Sequence, residues 1–384
     1  MPNNPQIITR GQRTTVRQNL IDHKNSMNTP RTPATGIQSG ALREGTIFAG
    51  GIHVGIMIAT TSFSAVHIGV IFPRHLIPSV ETPQFSPEPR QVVLKTTPAD
   101  HSGSHQRLEN EASLLKENSH PAYPIFYSAG ISKHPETNVP IAFLAMEKLQ
   151  GKTLFEVSND REFSLSEAIA IIMMLCSALD PIHKKGLIYR DLSLNNAMLT
   201  IFGPKLIDFG SLFDTNKQCD AATQDNVIIG TEDYLAPEHM IRQNKTARAD
   251  IYSLGIMLYK LITGLNPMRD TTPQKTFFNH LNKPMPGLQH GSLLAKFSWR
   301  GHVKHAGEIE QMRIDLDAII QRATAKKPRH RQQSVLALST ELSRIQTRLA
   351  AIKPYERDFK KDYVEKRSSA NRMATTKRFF AERF

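Results

Sequence analysis

Residues 187–200 read LIYRDLSLNNAMLT, and residues 205–210 read KLIDFG. Asp191 comes first, Asn196 stands five positions later, and Asp208 opens the Asp-Phe-Gly that follows. The turn Phe202-Gly203-Pro204 brings the two halves side by side as paired strands. The residue types carry a chemistry. A carboxylate at Asp191 can accept or orient a hydroxyl proton. Asn196 and Asp208 offer hard oxygen ligands, which suit Mg2+ bridging nucleotide phosphates. An isolated Asp-Phe-Gly is a weak signal. The acid, the amide and the Asp-Phe-Gly in this order and spacing form a phosphoryl-transfer constellation.

Other pieces fall in order around it. Lys95 ends the apolar strand pattern QVVLK, and Glu111 follows sixteen residues later on a segment of helical pattern, Arg107–Lys116. A Lys–Glu ion pair there would hold the ammonium against phosphates. Glu109 on the same segment competes with Glu111 for that place. Downstream of Asp208 lie Thr231 and Ala236-Pro237-Glu238 in GTEDYLAPE, Asp250 at the start of DIYSLG, and Arg331 in KKPRHRQQS.

The texture of the chain divides it. Ile52, Val54, Ile56 and Ile58 recur at every second position, then Val66, Ile68 and Val70, which predicts two strands joined near residues 61–64. A proline-rich stretch, 73–89, reads as an irregular loop. Pro140–Glu147 reads as another strand. After Gly151 the pattern turns helical. Leu165–Lys184 buries Ile169, Ile172, Met173, Cys176 and Leu179, and Ser164 with Glu167 makes a capping box at its start. Asp250–Thr263 is apolar nearly all round and so central. Residues 313–325 and 334–352 are two more amphipathic helices. A β-rich part followed by a helical part is an α+β architecture. No repeat of solenoid type is visible.

Composition sets limits. Of 384 residues, 40% are hydrophobic and 22% charged, which excludes a wholly disordered, collagen-like or coiled-coil chain. Two cysteines exclude a disulfide framework and fit a reducing compartment. The stretch between Glu44 and Arg74 lacks charge. Its five glycines, His53, His67 and Thr60-Thr61-Ser62 break any continuous apolar span, so no transmembrane segment is expected. The net charge is +13. Residues 1–50 hold six Lys/Arg against two Asp/Glu, and residues 341–384 twelve against six. The ends therefore carry +4 and +6, and the remaining 290 residues only +3. A nucleic-acid-binding core is not expected. Two readings of the ends stand: basic arms for an acidic partner or membrane surface, or solvated tails that keep the chain soluble.

Taken together, residues 46 to about 345 resemble the eukaryotic-type (Hanks-type) Ser/Thr protein kinase family, and its bacterial members in particular. The resemblance implies a bilobal fold, with a β-rich N-lobe over 46–150 and a larger helical C-lobe over 151–345. Residues 1–45 are then expected as a disordered basic N-terminal tail and residues 346–384 as a basic C-terminal tail. It implies ATP and Mg2+ as cofactors and a protein as substrate. Position by position, Lys95 corresponds to the phosphate-binding lysine and Glu111, nine residues before His120-Pro121, to its partner. Asp191 corresponds to the catalytic base, and Asn196 and Asp208 to the metal ligands. Ile58 and Val66 flank the nucleotide, Met146 is the gatekeeper, and Glu147 to Leu149 form the hinge that meets adenine. Glu238 is expected to pair with Arg331, and Asp250 to tie the catalytic loop to the central helix. Thr231, before the Ala-Pro-Glu element, implies Ser/Thr rather than Tyr specificity. Arg190 beside Asp191 implies control by a phosphate on the activation segment, with Thr215 and Thr223 as candidate acceptors.

Three departures cut the other way. The glycine-rich loop falls at residues 58–66, IATTSFSAV, with Ala59, Thr61 and Ser64 at the glycine positions. Glycine there lets backbone N–H groups approach phosphates closely. Tyr189 replaces the usual His, and Ser193 replaces a Lys that contacts the transferred phosphate. The leading expectation is an active, cytoplasmic Ser/Thr kinase. The alternatives are a nucleotide-binding pseudokinase or scaffold, and a small-molecule or lipid kinase on the same fold. Bacterial kinases delivered into host cells also fit the chain's compact catalytic unit.

Overall fold

The computed structural model describes residues 40–60, 64–72, 89–100, 103–216, 231–241, 246–288 and 306–352. The N-terminal part is built on an antiparallel six-stranded sheet. Its strands are β1 (Ile47–Phe48), β2 (Ile52–Thr60), β3 (Ala65–Ile71), β4 (Arg90–Pro98), β5 (Phe126–Lys133) and β6 (Pro140–Glu147), in the order β1-β2-β3-β4-β6-β5. Helix α1 (Gly103–Glu117) crosses the face that carries Lys95. Period-two burial fixes the two faces. On β4, Val92, Leu94 and Thr96 are buried on the side away from Lys95. There Val92 and Leu94 join Phe48, Ile52, Val54, Ile71, Phe143 and Leu42 in a core of their own.

That outer core corrects the expected tail boundary at residue 45. Residues 40–46 lie as a strap across the sheet. The Gly40 carbonyl accepts from Thr96 Oγ1 at 2.8 Å, and the Leu42 N–H donates to His67 Nε2 at 3.2 Å. The Ala41 carbonyl meets His134 Nε2 at 3.0 Å. Gly40 has φ +69°, and a Cβ there would stand 3.1 Å from the Thr97 backbone, so the close approach requires glycine. Imidazole burial drives the His67 pKa below its ordinary value, which keeps Nε2 available as an acceptor.

The C-terminal part is helical. Its elements are α2 (Leu154–Asp160), α3 (Leu165–Lys184), α4 (Pro237–Met240), α5 (Arg248–Thr263), α6 (Pro273–Asn282), α7 (Ala306–Ala323) and α8 (Val335–Ile352). Short strands β7 (Lys152–Thr153), β9 (Ala197–Thr200) and β10 (Gly203–Leu206) form one sheet, and β8 (Leu187–Ile188) pairs with β11 (Phe213–Asp214). Helix α3 has the bounds expected from its period, and its Ser164–Glu167 capping box is formed on both sides. Among the described residues α3 is also the one helix long and apolar enough to cross a membrane. It lies instead in the core, with Ile169, Ile172, Leu175 and Leu179 fully buried. Helix α5 is buried along nearly its whole length and stops at Gly264 in the left-handed conformation.

The expected C-terminal boundary is corrected too. Position 346 falls inside α8, which continues to Ile352. Leu349 is buried against the core, and Gln346 Nε2 donates to Ser166 Oγ on α3 at 2.7 Å. The helix ahead of it, α7, begins at Ala306 and ends at Ala323, two residues short of the expected end and seven earlier at its start.

Candidate active site

The β9–β10 hairpin forms as its sequence predicts, with Leu206 opposite Ala197 and Gly203 opposite Thr200. It sets Asn196 before one strand and Asp208 after the other. The Ile207 N–H donates to the Asn196 carbonyl at 3.0 Å, so the two segments are stitched at the point of interest. The Asn196 side-chain amide donates to the Asp191 carbonyl at 2.6 Å. That bond assigns its NH2 and turns its oxygen to the other side.

Asp191 is buried, and its Oδ1 accepts from Thr231 Oγ1 at 2.7 Å. The loop that carries it is pinned from beneath. The Asp250 carboxylate at the start of α5 accepts the N–H groups of Tyr189 and Arg190, each at 2.9 Å, and lies 2.8 Å from His183 Nε2. This clamp holds Arg190 at φ +66°, a conformation that non-glycine residues adopt at a cost of about 1 kcal/mol. The Arg190 guanidinium sits over the Phe213 ring at 3.8 Å.

Lys95 comes from the centre of the sheet, opposite Val66 on β3 and Leu144 on β6. Its Nζ lies 2.6 and 2.8 Å from the two Glu111 oxygens and 3.7 Å from Asp208 Oδ1. Glu111 is thus the partner, and Glu109 faces His105 and Gln106 on the outer surface. Burial raises the Glu111 pKa most. The Lys95 charge opposes it, and the Asp208 charge adds to it. Phe209 anchors the Asp208 turn. Its ring makes edge-to-face contacts with Tyr123 at 5.0 Å and Tyr189 at 5.5 Å, and its N–H donates to Glu111 Oε1.

Ile58 and Val66 are half-buried on β2 and β3, and Met146 is buried at the end of β6. Glu147 and Leu149 are half-buried in the link that follows. The Glu147 carboxylate accepts from Lys205 Nζ at 2.9 Å and from the Ile125 N–H at 3.1 Å, which ties the link to β10. At the substituted glycine positions, Ala59 pairs with Val66 directly after a register shift between Met57 and Ala59. Position 61 lies outside the described residues.

Glu238 and Arg331 meet in a bidentate pair at 2.6 and 2.8 Å, fully buried. Thr215 Oγ1 donates to the Gly186 carbonyl at 2.7 Å. Thr223 lies outside the described residues. Sequence reading missed His183, Phe213 and Lys205. The histidine six residues before Tyr189, in PIHKKGLIYRD, carried a signal. The other two touch their partners only through tertiary packing.

A two-lobed fold, a Lys–Glu–Asp cluster and a pinned Asp191 loop define a class of protein. The protein kinase domain family matches residues 86–357, and the chain belongs to that family. The match begins after the hairpin with the substituted glycines. Among relatives, the chain is 29% identical over 262 residues to the serine/threonine-protein kinase PknB of Mycobacterium tuberculosis and 31% identical over 265 residues to that of Mycolicibacterium smegmatis. Each alignment covers 67% of this chain and 39% of the relative, so the chain spans about two-fifths of the length of the curated relatives it matches.

Proposed function

We propose that the chain is an ATP-dependent protein kinase that transfers the γ-phosphate of ATP to Ser or Thr of protein substrates. The observation that carries this reading is the Lys95 ammonium, held by Glu111 at 2.6 Å and facing Asp208 at 3.7 Å. A cation fixed in this way on the sheet, beside a hard carboxylate, is placed for polyphosphate. The kinase relatives support the same reading.

The residues fit a divalent ion of the Mg2+ type. Asp208 supplies a carboxylate, and the fixed amide orientation presents the Asn196 oxygen. Among the described residues no cluster of three or more His, Cys, Asp and Glu could hold a metal alone. Such an ion would complete its shell with phosphate oxygens and water, as Mg2+ commonly does. When bound, it supplies charge neutralisation at the phosphates.

Each residue then has a task. Lys95 orients the phosphates, and Glu111 fixes Lys95. Ile58, Val66 and Met146 enclose the base, and the backbone of Glu147 to Leu149 reads its edge. Asp191 receives the acceptor hydroxyl, with Thr231 holding its other oxygen, and takes the proton as the phosphoryl group departs. Autophosphorylation at Thr223 or Thr215 would give Arg190 a phosphate in place of Phe213. Mass spectrometry after incubation with ATP would sink that idea if neither residue gained phosphate.

The test of the main reading is labelled ATP with a mixture of acidic and basic carrier proteins, followed by phosphoamino-acid analysis. Wild type should yield phosphoserine or phosphothreonine and Asp191→Ala should not. Equal label from both would favour a pseudokinase, as the substitutions at Ala59, Thr61, Ser64 and Ser193 suggest.

A further inference from the structure

Strand alternation gives the sheet two faces behind and in front of Lys95. Lys95 turns to Glu111 on α1, and its neighbour Thr96, fully buried, turns the other way, to the strap. Strand β3 follows the same rule. Val66 stands opposite Lys95 and shares its face, while Ala65 and His67 are fully buried on the reverse. Ala65 stands opposite Thr96, and His67 opposite Leu94. The back of the Lys95–Val66 pair is therefore made by Ala65, His67, Leu94 and Thr96.

Two of these residues grip the strap. Thr96 Oγ1 donates to the Gly40 carbonyl at 2.8 Å and lies 3.4 Å from the Ala65 carbonyl, so one hydroxyl bridges the strap and β3. His67 Nε2 accepts the Leu42 N–H at 3.2 Å, and the Leu42 side chain is buried in the outer core. Gly40 lies so close to β4 that a Cβ there would stand 3.1 Å from Cα and the carbonyl carbon of Thr97. The grip is on strap backbone, at two places within three residues. Arg43 and Glu44, which follow, are exposed. A buried hydroxyl or imidazole nitrogen that loses its partner is costly to leave dry. Lifting the strap would therefore force β3 and β4 to adjust at Thr96 and His67. Each of these is one residue from a member of the Lys95–Val66 pair, on the same pleat.

We propose that residues 40–42 position the nucleotide site from behind: seated on Thr96 and His67, they fix the pleat that aims Lys95 and Val66. Gly40 and Thr96 are then positioning residues for nucleotide binding, acting through the strap. This rests on reading Lys95 and Val66 as nucleotide contacts. The strap itself stands before residue 86, where the match to the kinase family begins.

The experiment measures binding of a fluorescent ATP analogue with Mg2+ to the full chain, beside hydrogen exchange of the amides over 41–48. Thr96→Val removes the hydroxyl at nearly constant shape. Gly40→Val sets a β-branched side chain against the Thr97 backbone at a positive φ. Both should speed exchange over 41–48 and weaken nucleotide binding at least about threefold, as for a site competent about a third of the time. Thr96→Ser should restore both readings. The double variant should bind no more weakly than the worse single one, because both unseat the same strap. Ile345→Val, a modest loss in the helical core, should bind nucleotide as wild type does. Faster exchange with unchanged affinity, additive losses in the double variant, or equal weakening by Ile345→Val would overturn the proposal. A wild type that binds no nucleotide would overturn it together with the nucleotide reading. Binding requires no turnover. Affinity that follows the strap without phosphate transfer by any variant would remove the kinase reading and leave the positioning role standing.

Discussion

The two lobes each hold a cation–carboxylate pair with a buried carboxylate, Lys95–Glu111 and Arg331–Glu238, and the two are built differently. Arg331–Glu238 is bidentate, and its guanidinium also donates to the carbonyls of Ala325 and Arg248. Side-chain exposure is 0% and 4%, so both charges are satisfied inside the protein. Lys95–Glu111 joins a point charge to a carboxylate, with the lysine 17% exposed and a second acid, Asp208, on the same ammonium. The first pair closes a network. The second leaves the cation partly exposed, as the proposed contact with phosphates requires. The same pairing of charges can thus serve as a strut or as a binding tool, and the remaining hydrogen-bond partners decide which.

Removing Arg331 should have the largest effect. Arg331→Met leaves Glu238 buried and unpaired and should cost about 3–5 kcal/mol in urea unfolding. Adding Glu238→Leu should restore most of that, because both charges are then gone. A cost under about 1 kcal/mol for the single variant would erase the contrast. Lys95→Met should reverse the pattern. Its unfolding free energy should change by less than about 2 kcal/mol, since a buried Glu111 whose pKa is already raised can take up a proton. Its phosphate transfer should fall at least about 100-fold.

The layer beneath Arg331 gives the next effect. The Arg331 guanidinium stacks on Tyr252 at 4.9 Å, and the Tyr252 hydroxyl lies in hydrogen-bond contact with His280 Nδ1 at 2.8 Å. Burial, with help from Lys326, lowers the His280 pKa to about 3 against the backbone of Asp233 and Glu232. The unfolded chain protonates this ring near 6.5, while the folded chain keeps it neutral. Stability should therefore fall as pH drops below 6.5, by on the order of 2 kcal/mol by pH 4.5. His280→Asn should flatten that slope, as read from unfolding midpoints against pH. The smallest effect belongs to the nucleotide hairpin. Placing Gly at positions 59, 61 and 64 should lower the KM for ATP by about threefold and cost up to about 1 kcal/mol of stability at Ala59, which lies in β2.

The elements legible in the sequence are those with strong local signals. Leu165–Lys184 has both its period and its capping box, and Pro140–Glu147 is a compact apolar run; both form with the expected bounds. The order of Lys95, Glu111, Asp191, Asn196 and Asp208 gave the candidate site its members, and the fold brings Lys95, Glu111 and Asp208 together as expected. What escaped was non-local. The strap over residues 40–46 is aperiodic, and it is held by burial of Leu42 and by Thr96, His67 and His134, all far away in sequence. Phe213 under Arg190 and Lys260 between Phe155 and Tyr234 are contacts that no local pattern encodes.

In the proposed reaction Asp191, hydrogen-bonded to Thr231 on the loop that Asp250 pins, receives the acceptor hydroxyl. The direct measurement is the initial rate of labelled phosphate transfer from ATP to a threonine peptide by Asp191→Asn beside wild type, at matched unfolding midpoints. A fall of about 1,000-fold or more with ATP affinity retained is the predicted result. A rate within a few-fold of wild type would contradict it.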